Sequence, residues 1–373
     1  MARFRTALCD LLGIEYPILQ SGMGGAAGPE LVAEVSRAGG LGILAGLRLT
    51  ADQLRASIRR VRELTDRPFG VNLWLHTELL PPADVSKIPE ATVRQVQDTL
   101  NQFRTRLGIA RTEGRPPGVP DVIAGAFEVI LEERVPVWSI GLGNPDPAWV
   151  TRCHERGITI IAMVATAEDA RAVVASGVDI VVAQGAEAGG HRSTWVKPAA
   201  REAAQIGTVT LVPQIVDAVN VPVVASGGIA DGRGLVAALA LGAQGVLFGT
   251  RFVATREATV PEFWKKAILE RSGGATTVTD AITGLYARYV RNTFTEEYAA
   301  SGAPVFPALV QSQAAQDIFQ AAAARQEPDY FPMPTGQSMG LIHDLPGAGE
   351  VVEAIVREAR AVLEKLPTRV TLS

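Results

Sequence analysis

The chain has 373 residues and 47% hydrophobic content, enough for a large core and more than the roughly 250 residues of one (β/α)8 barrel. Its 35 basic and 39 acidic residues give a net charge of −4 with no long run of either sign, which argues against nucleic acid and for small, anionic ligands. Cys9 and Cys153 are too few and too distant for a disulfide framework and fit a reducing cytoplasm. The longest apolar stretch, 234–249, is interrupted by Gln244 and falls short of the roughly 20 residues a membrane span needs. Asp10 and Glu15 break the segment after Arg3 and Arg5, which makes a poor signal-peptide core, so an unprocessed soluble chain is expected.

In chain order, short aliphatic or β-branched runs predict strands at 16–20, 41–45, 69–74, 135–140, 158–164, 179–184, 222–226 and 245–249. Segments of helical period lie between them, among them 29–38, 51–64, 167–176 and 231–241, so the strands are expected to be parallel. Eight such units predict an α/β fold, a (β/α)8 TIM barrel over residues 1–260. The gap after the third strand, 76–120, holds Pro81, Pro82, a helix-like stretch from Glu90 to Leu107 and a Pro/Gly-rich return, and reads as an insertion at the barrel mouth. Beyond about Val260 the strand signal ends. Ala-rich stretches at 308–326 and 350–366 then predict a mainly helical lobe over 261–373, which would cap the site.

Four motifs carry chemistry. Gly22-Met23-Gly24-Gly25-Ala26-Ala27 follows the first strand and formally matches a dinucleotide fingerprint, but the second strand ends in Ala45-Gly46-Leu47-Arg48 without the acidic residue a Rossmann site needs. A ligand-contacting turn is the better reading. Gly227 and Gly228 after strand seven, and Leu247-Phe248-Gly249-Thr250 after strand eight, occupy the two positions where barrels bind phosphate through exposed backbone N–H groups. Asn72 and Gln184 are amides in otherwise apolar strands, able to serve the polar edge of a flat ring if they face the mouth. Gly189, Gly190 and His191 end the sixth strand, where glycines allow close approach to a ligand and an imidazole can move protons. His76 also lies at the mouth, and Trp195 is near enough to His191 in sequence to line a pocket. No spacing of His, Cys, Asp and Glu suggests a metal site.

Taken together, Pro17-Ile18-Leu19-Gln20-Ser21-Gly22-Met23, Gly70-Val71-Asn72, the run from Ala183 to Arg192, Ser226-Gly227-Gly228-Ile229 and Gly249-Thr250-Arg251-Phe252 resemble the nitronate monooxygenases, formerly called 2-nitropropane dioxygenases. The segment 279–284, Ala287-Arg288, Asn292 and Gly336-Gln337-Ser338 extend the resemblance into the second lobe. The resemblance implies an FMN-binding barrel that oxidises an alkyl nitronate with O2 to a carbonyl compound and nitrite. It implies His191 as catalytic base and Met23 near the flavin ring. FMN contacts would come from Gly22, Gly24, Asn72, Gln184, Gly189, Gly190, Gly227, Gly228, Leu247, Phe248, Gly249, Thr250, Gln337 and Ser338. A nitronate, O2 and further copies of the chain in a homo-oligomer are the partners it suggests.

Ser193 and Gly141 depart from the family pattern, which commonly has glycine at the first and often a bulkier residue such as histidine at the second. Both border the expected substrate space. The same motifs also resemble NAD(P)H-dependent FMN reductases of the enoyl-acyl carrier protein reductase II and quinone reductase types, and a non-catalytic flavin-binding module is a third reading. A carboxylated nitronate engaging Arg192 or Arg288 is a further expectation.

Overall fold

The computed structural model describes residues 4–200, 202 and 205–369. Eight parallel strands close into a barrel: β1 (Ile18–Gln20), β2 (Leu41–Ala45), β3 (Phe69–Trp74), β4 (Val137–Gly141), β5 (Thr159–Val164), β6 (Ile180–Gln184), and, after the two-residue strand β7 (Gly190–His191), β8 (Val223–Ser226) and β9 (Gly245–Phe248). Closure comes from β9 pairing with β1, with Ile18 opposite Val246 and Gln20 opposite Phe248. All eight expected strands are present. Pro17, Pro68, Pro136 and Pro222 stand immediately before β1, β3, β4 and β8. Proline has no N–H to give a ladder, which is why β1, β4 and β8 start later than their apolar runs.

Strand periodicity decides what faces the barrel interior. Ile180 and Val182 join Ile161, Val224 and Leu247 in the interior core, whereas Val181 and Ala183 pack outward with the helices. By the same alternation Gln184 is the next inward residue of β6, and Asn72 and Trp74 share the inward face of β3 opposite to Val71 and Leu73. A short helix, Ala7–Leu12, seals the other end of the barrel with Leu8, Cys9 and Leu12.

The strand signal does not stop at 260. Strands β10 (Thr276–Thr279) and β11 (Ala287–Val290) form a three-stranded antiparallel sheet with β7, in the order β10, β11, β7. Four residues each, they are too short for an alternating pattern to stand out, and only the β-branched run Thr276-Thr277-Val278-Thr279 marks them. The expected helix at 308–326 is two helices, Val310–Ala314 and Gln316–Ala324, because the backbone at Ala315 leaves helical geometry. The final helix, Ala348–Arg369, lies on the barrel against the helices Pro29–Arg37 and Gly232–Ala240, where a β carbon on Gly232 would overlap the backbone of Ala359.

The insertion helix Glu90–Arg106 shares a core with the second lobe, in which Val96, Leu100 and Phe103 meet Phe294, Tyr298 and Ile318. At its centre the Arg104 side chain, 1% exposed, donates to Asp317 at 2.7 Å, the Ala314 carbonyl at 2.6 Å, Gln97 at 2.9 Å and Asn101 at 3.1 Å. These bonds fasten the insertion to the lobe. Arg104→Met strands several buried acceptors and should lower stability in chemical denaturation by about 2 to 4 kcal/mol; a loss near zero would show that the apolar core alone docks the two segments.

Candidate active site

The residues that place His191 are set by the chain just before it. β6 delivers Gln184 to the mouth; its Nε2 donates to the His191 carbonyl at 2.8 Å, and its Oε1 accepts from the Ser193 N–H at 2.8 Å and from Arg192 at 3.4 Å. Both ends of this amide are therefore committed to the 191–193 backbone. Arg288, opposite Gly190 in the β7–β11 pair, donates twice to the Ala186 carbonyl and once to Thr276, fixing the loop from the other side. A β carbon on Gly189 would overlap the backbone of Thr335 and Gly336, and Gly190 has φ +74°, so this turn requires both glycines.

The His191 ring lies 4.4 Å from the Trp74 ring, tilted by 60°, and its Nε2 shares a 2.8 Å hydrogen bond with Thr283 Oγ1. Protein crowds the imidazole, and this desolvation, helped by the positive charge of Arg48 and by His76, pushes its pKa down to about 3. The ring is neutral throughout the physiological range. His76 is buried; its Nδ1 accepts from the Glu78 N–H at 3.2 Å, so the neutral ring carries its proton on Nε2, which has no protein acceptor among the described residues.

The glycine loops after β8 and β9, next to the β6 loop on the same mouth, suit an anion. Among the described residues no acceptor takes the N–H groups of Gly227, Gly228, Ile229, Gly249 or Thr250. Gly227 and Gly228 have φ values of +105° and +71°, conformations that leave these donors exposed. Thr250 Oγ1 accepts from the Gly336 N–H at 2.9 Å, and the Gln337 N–H donates to the Glu187 carbonyl at 2.9 Å, so segment 336–338 links the β9 and β6 loops. Ser338 is buried there and Gln337 is exposed. Gly249 faces Met23, whose sulfur would stand 3.8 Å from a β carbon at 249, and Gly22 packs so tightly on Asn72 that a β carbon would overlap it. Gly24 has open space beside it. Leu247 and Phe248 are buried behind the rim. These unpartnered donors suit an anionic group such as a phosphate.

Sequence reasoning missed four residues. Trp74 follows from Asn72, two positions earlier on the same strand face. Thr283 and Tyr289, buried and near each other, come from the second lobe and lie 92 and 98 positions from His191, beyond the reach of local pattern. Arg48 sits after β2 with φ +72°, a sign of backbone strain that sequence does not show. The two departures now have places. A β carbon on Gly141 would stand 3.1 Å from Trp74 Cδ1, so the missing side chain makes room for the indole. Ser193 Oγ donates to the Met163 carbonyl at 2.7 Å and accepts from the Leu142 N–H at 3.0 Å, tying the ends of β4 and β5 to the histidine loop. Arg192 is buried on Gln184 and Arg288 is spent on Ala186 and Thr276, so the structure gives both to holding the loop. Trp195 fixes the start of the insertion, its carbonyl accepting from the Thr77 N–H and hydroxyl. Among the described residues no cluster of three or more His, Cys, Asp or Glu could hold a metal, and no helix is long and apolar enough to cross a membrane.

A barrel with a glycine-lined anion rim and a neutral histidine at its mouth defines a flavin-dependent oxidoreductase. The sequence model of nitronate monooxygenase matches residues 5–358, and the chain belongs to that family. It is 35% identical over 368 residues to a probable nitronate monooxygenase of Staphylococcus saprophyticus, covering 97% of this chain and 100% of the relative. A probable nitronate monooxygenase of Staphylococcus aureus is 33% identical over 364 residues, covering 96% and 99%. Among solved structures, the nitroalkane oxidase from Streptomyces ansochromogenes superposes with a TM-score of 0.87 at 34% identity, over 97% of this chain and 100% of that one. FabK from Thermotoga maritima gives 0.74 at 33%, over 98% and 99%.

Because Trp74 occupies the space a side chain at 141 would need, Gly141→His should overpack the mouth and cost about 1 to 3 kcal/mol. Adding Trp74→Ala should recover most of that in thermal unfolding. Equal losses in the single and double variants would contradict the exchange.

Proposed function

We propose that the protein oxidises alkyl nitronates with O2 to a carbonyl compound and nitrite, with FMN as its flavin. The observation that carries this reading is a neutral imidazole, His191, held against Trp74 within the field of the Arg48 cation. When bound, the flavin supplies the one-electron and oxygen chemistry that no side chain offers. The N–H groups of Gly227, Gly228, Gly249 and Thr250 would hold its phosphate, and Gly22, Met23, Gly24, Asn72, Leu247 and Phe248 would line its place. Gly189 makes room for the Thr335–Gly336 backbone and Gly190 supplies the left-handed turn beside the ring's expected place, and Gln337 and Ser338 would close over the phosphate end. Gln184 acts at one remove, by orienting the His191 backbone.

The depressed basicity of His191 chooses between the two ionisation states of substrate. A nitroalkane must lose its α-proton, and a ring whose pKa lies well below the working pH is a poor acceptor. A nitronate arrives deprotonated and needs only to be bound and oriented, which a neutral imidazole does by hydrogen bonding. The likeness to FabK supports the competing reading, an NAD(P)H-dependent flavin reductase; the higher TM-score to nitroalkane oxidase at the same level of identity favours oxidation of a nitro compound over that reading.

Purified yellow protein should release FMN on denaturation and form nitrite from ethylnitronate, at least about tenfold faster than from nitroethane at neutral pH. His191→Asn should lower kcat/KM for the nitronate by about 10- to 100-fold. Release of FAD, or equal rates with nitroethane, would overturn the respective part. A lowered pKa means that the folded ring takes a proton only near pH 3, so falling pH leaves His191 neutral through the range where a free histidine would titrate. The kcat/KM profile, which reports the free enzyme, should therefore show no limb near pH 6.5 assignable to His191. A limb there that disappears in His191→Asn would contradict the assignment.

A further inference from the structure

A cavity of about 490 Å³ lies between the barrel mouth, the insertion and the second lobe. Its walls are largely apolar, with Leu47 and Leu79 on the barrel side and Leu309, Phe319, Ala323 and Phe331 on the lobe side. Arg48 is the only cationic residue in its lining. The guanidinium donates to Ser312 Oγ at 3.0 Å, its side chain is accessible from the cavity, and no carboxylate pairs with it among the described residues. Arg48 is exposed, so its charge is available to an anion that enters the cavity. The strained φ of Arg48 at +72° and of Leu309 at +61° falls on the two sides of this cavity.

The cavity borders the residues that hold His191: Arg48 bonds Ser312, and Ser312 bonds the Leu309 carbonyl. The Arg48 cation acts on both the His191 ring and the Tyr289 hydroxyl. Leu309, in the cavity wall, donates its N–H to the carbonyl of Thr283, whose hydroxyl holds His191. Arg48 thus lies on the side of the cavity that borders the Thr283–His191 contact, with apolar walls beside it. That polarity suits an anion at the reacting centre followed by a hydrocarbon chain.

We propose that Arg48 binds the anionic head of the substrate beside His191 and that the apolar cavity takes its chain, making extended aliphatic nitronates the preferred substrates. This deepens the nitronate reading and rests on it for the identity of the head group. The chain binds by burial of CH2 groups along Leu47, Leu79, Leu309 and Phe319, and the guanidinium positions the head by charge-assisted hydrogen bonds.

The test uses the holoenzyme with two series of probes: ethyl-, butyl- and hexylnitronate as substrates, and acetate, butyrate and hexanoate as unreactive anions read by calorimetry. In the unsubstituted protein, KM and alkanoate Kd should fall about two- to fourfold per added methylene. Arg48→Met should raise both by about tenfold or more across each series while changing kcat less, and Arg48→Lys should restore part of the loss. Ala323→Trp should penalise hexylnitronate and hexanoate more than their two-carbon counterparts. Visible flavin content confirms that each variant is folded. Chain-length-independent constants, or alkanoate Kd values that ignore Arg48→Met, overturn the proposal. Arg48-dependent, chain-dependent alkanoate binding without turnover of any nitronate supports the anion site and instead overturns the nitronate reading.

Discussion

The architecture of the site depends on one buried amide. Gln184 ends the inward face of β6, and its two polar ends bond the His191 carbonyl and the Ser193 N–H, so the loop that leaves the barrel is locked to the strand that produced it. A buried amide with both ends satisfied specifies one geometry, because any shift of the loop strands a donor and an acceptor together. Everything outside that bond is built on the result. The loop is then rigid enough to serve as strand β7, to which β11 and β10 add, so the second lobe is joined to the barrel through the histidine segment itself.

This connection explains why so much of the mouth comes from distant sequence. Thr283 reaches the imidazole because it lies in the turn before the strand that pairs with the histidine segment, and Trp264 donates to Thr335 at 2.9 Å to hold the segment that crosses Gly189. Glycines at 189 and 336 are the places where two backbones touch; side chains there would force the lobe away from the rim. The environment this creates is crowded, apolar and locally positive, which keeps His191 neutral and makes the cavity beside it receptive to an anion.

The barrel was legible in the sequence because its signals are local. Aliphatic and β-branched runs mark the strands, and segments such as 51–64 carry helical period, while the prolines before β1 and β4 and the Thr50–Gln53 capping box set the exact ends only in the fold. The histidine and the two glycine loops could be placed because barrel strands deliver their carboxyl ends to one mouth. What stayed hidden was set by pairing over long separations or by shape. β10 and β11 are too short to announce themselves, Arg48 looks like an ordinary loop arginine until its left-handed backbone and cavity position are known, and the reason for Gly141 appears only when Trp74 is seen beside it. Arg192 and Arg288 lie near His191, and what the sequence does not show is that they also bond the loop, Arg192 to the Gln184 amide and Arg288 to the Ala186 carbonyl and the Thr276 hydroxyl.

The central claim is that this mouth presents a flavin to an anionic, already deprotonated substrate. Anaerobic mixing of the purified holoenzyme with ethylnitronate, followed by visible absorbance in a stopped-flow instrument, tests it most directly. The account predicts that the nitronate changes the flavin spectrum at a rate sufficient for turnover, whereas NADH and NADPH do so slowly or not at all. Rapid bleaching by a reduced nicotinamide, with no response to the nitronate, would contradict it.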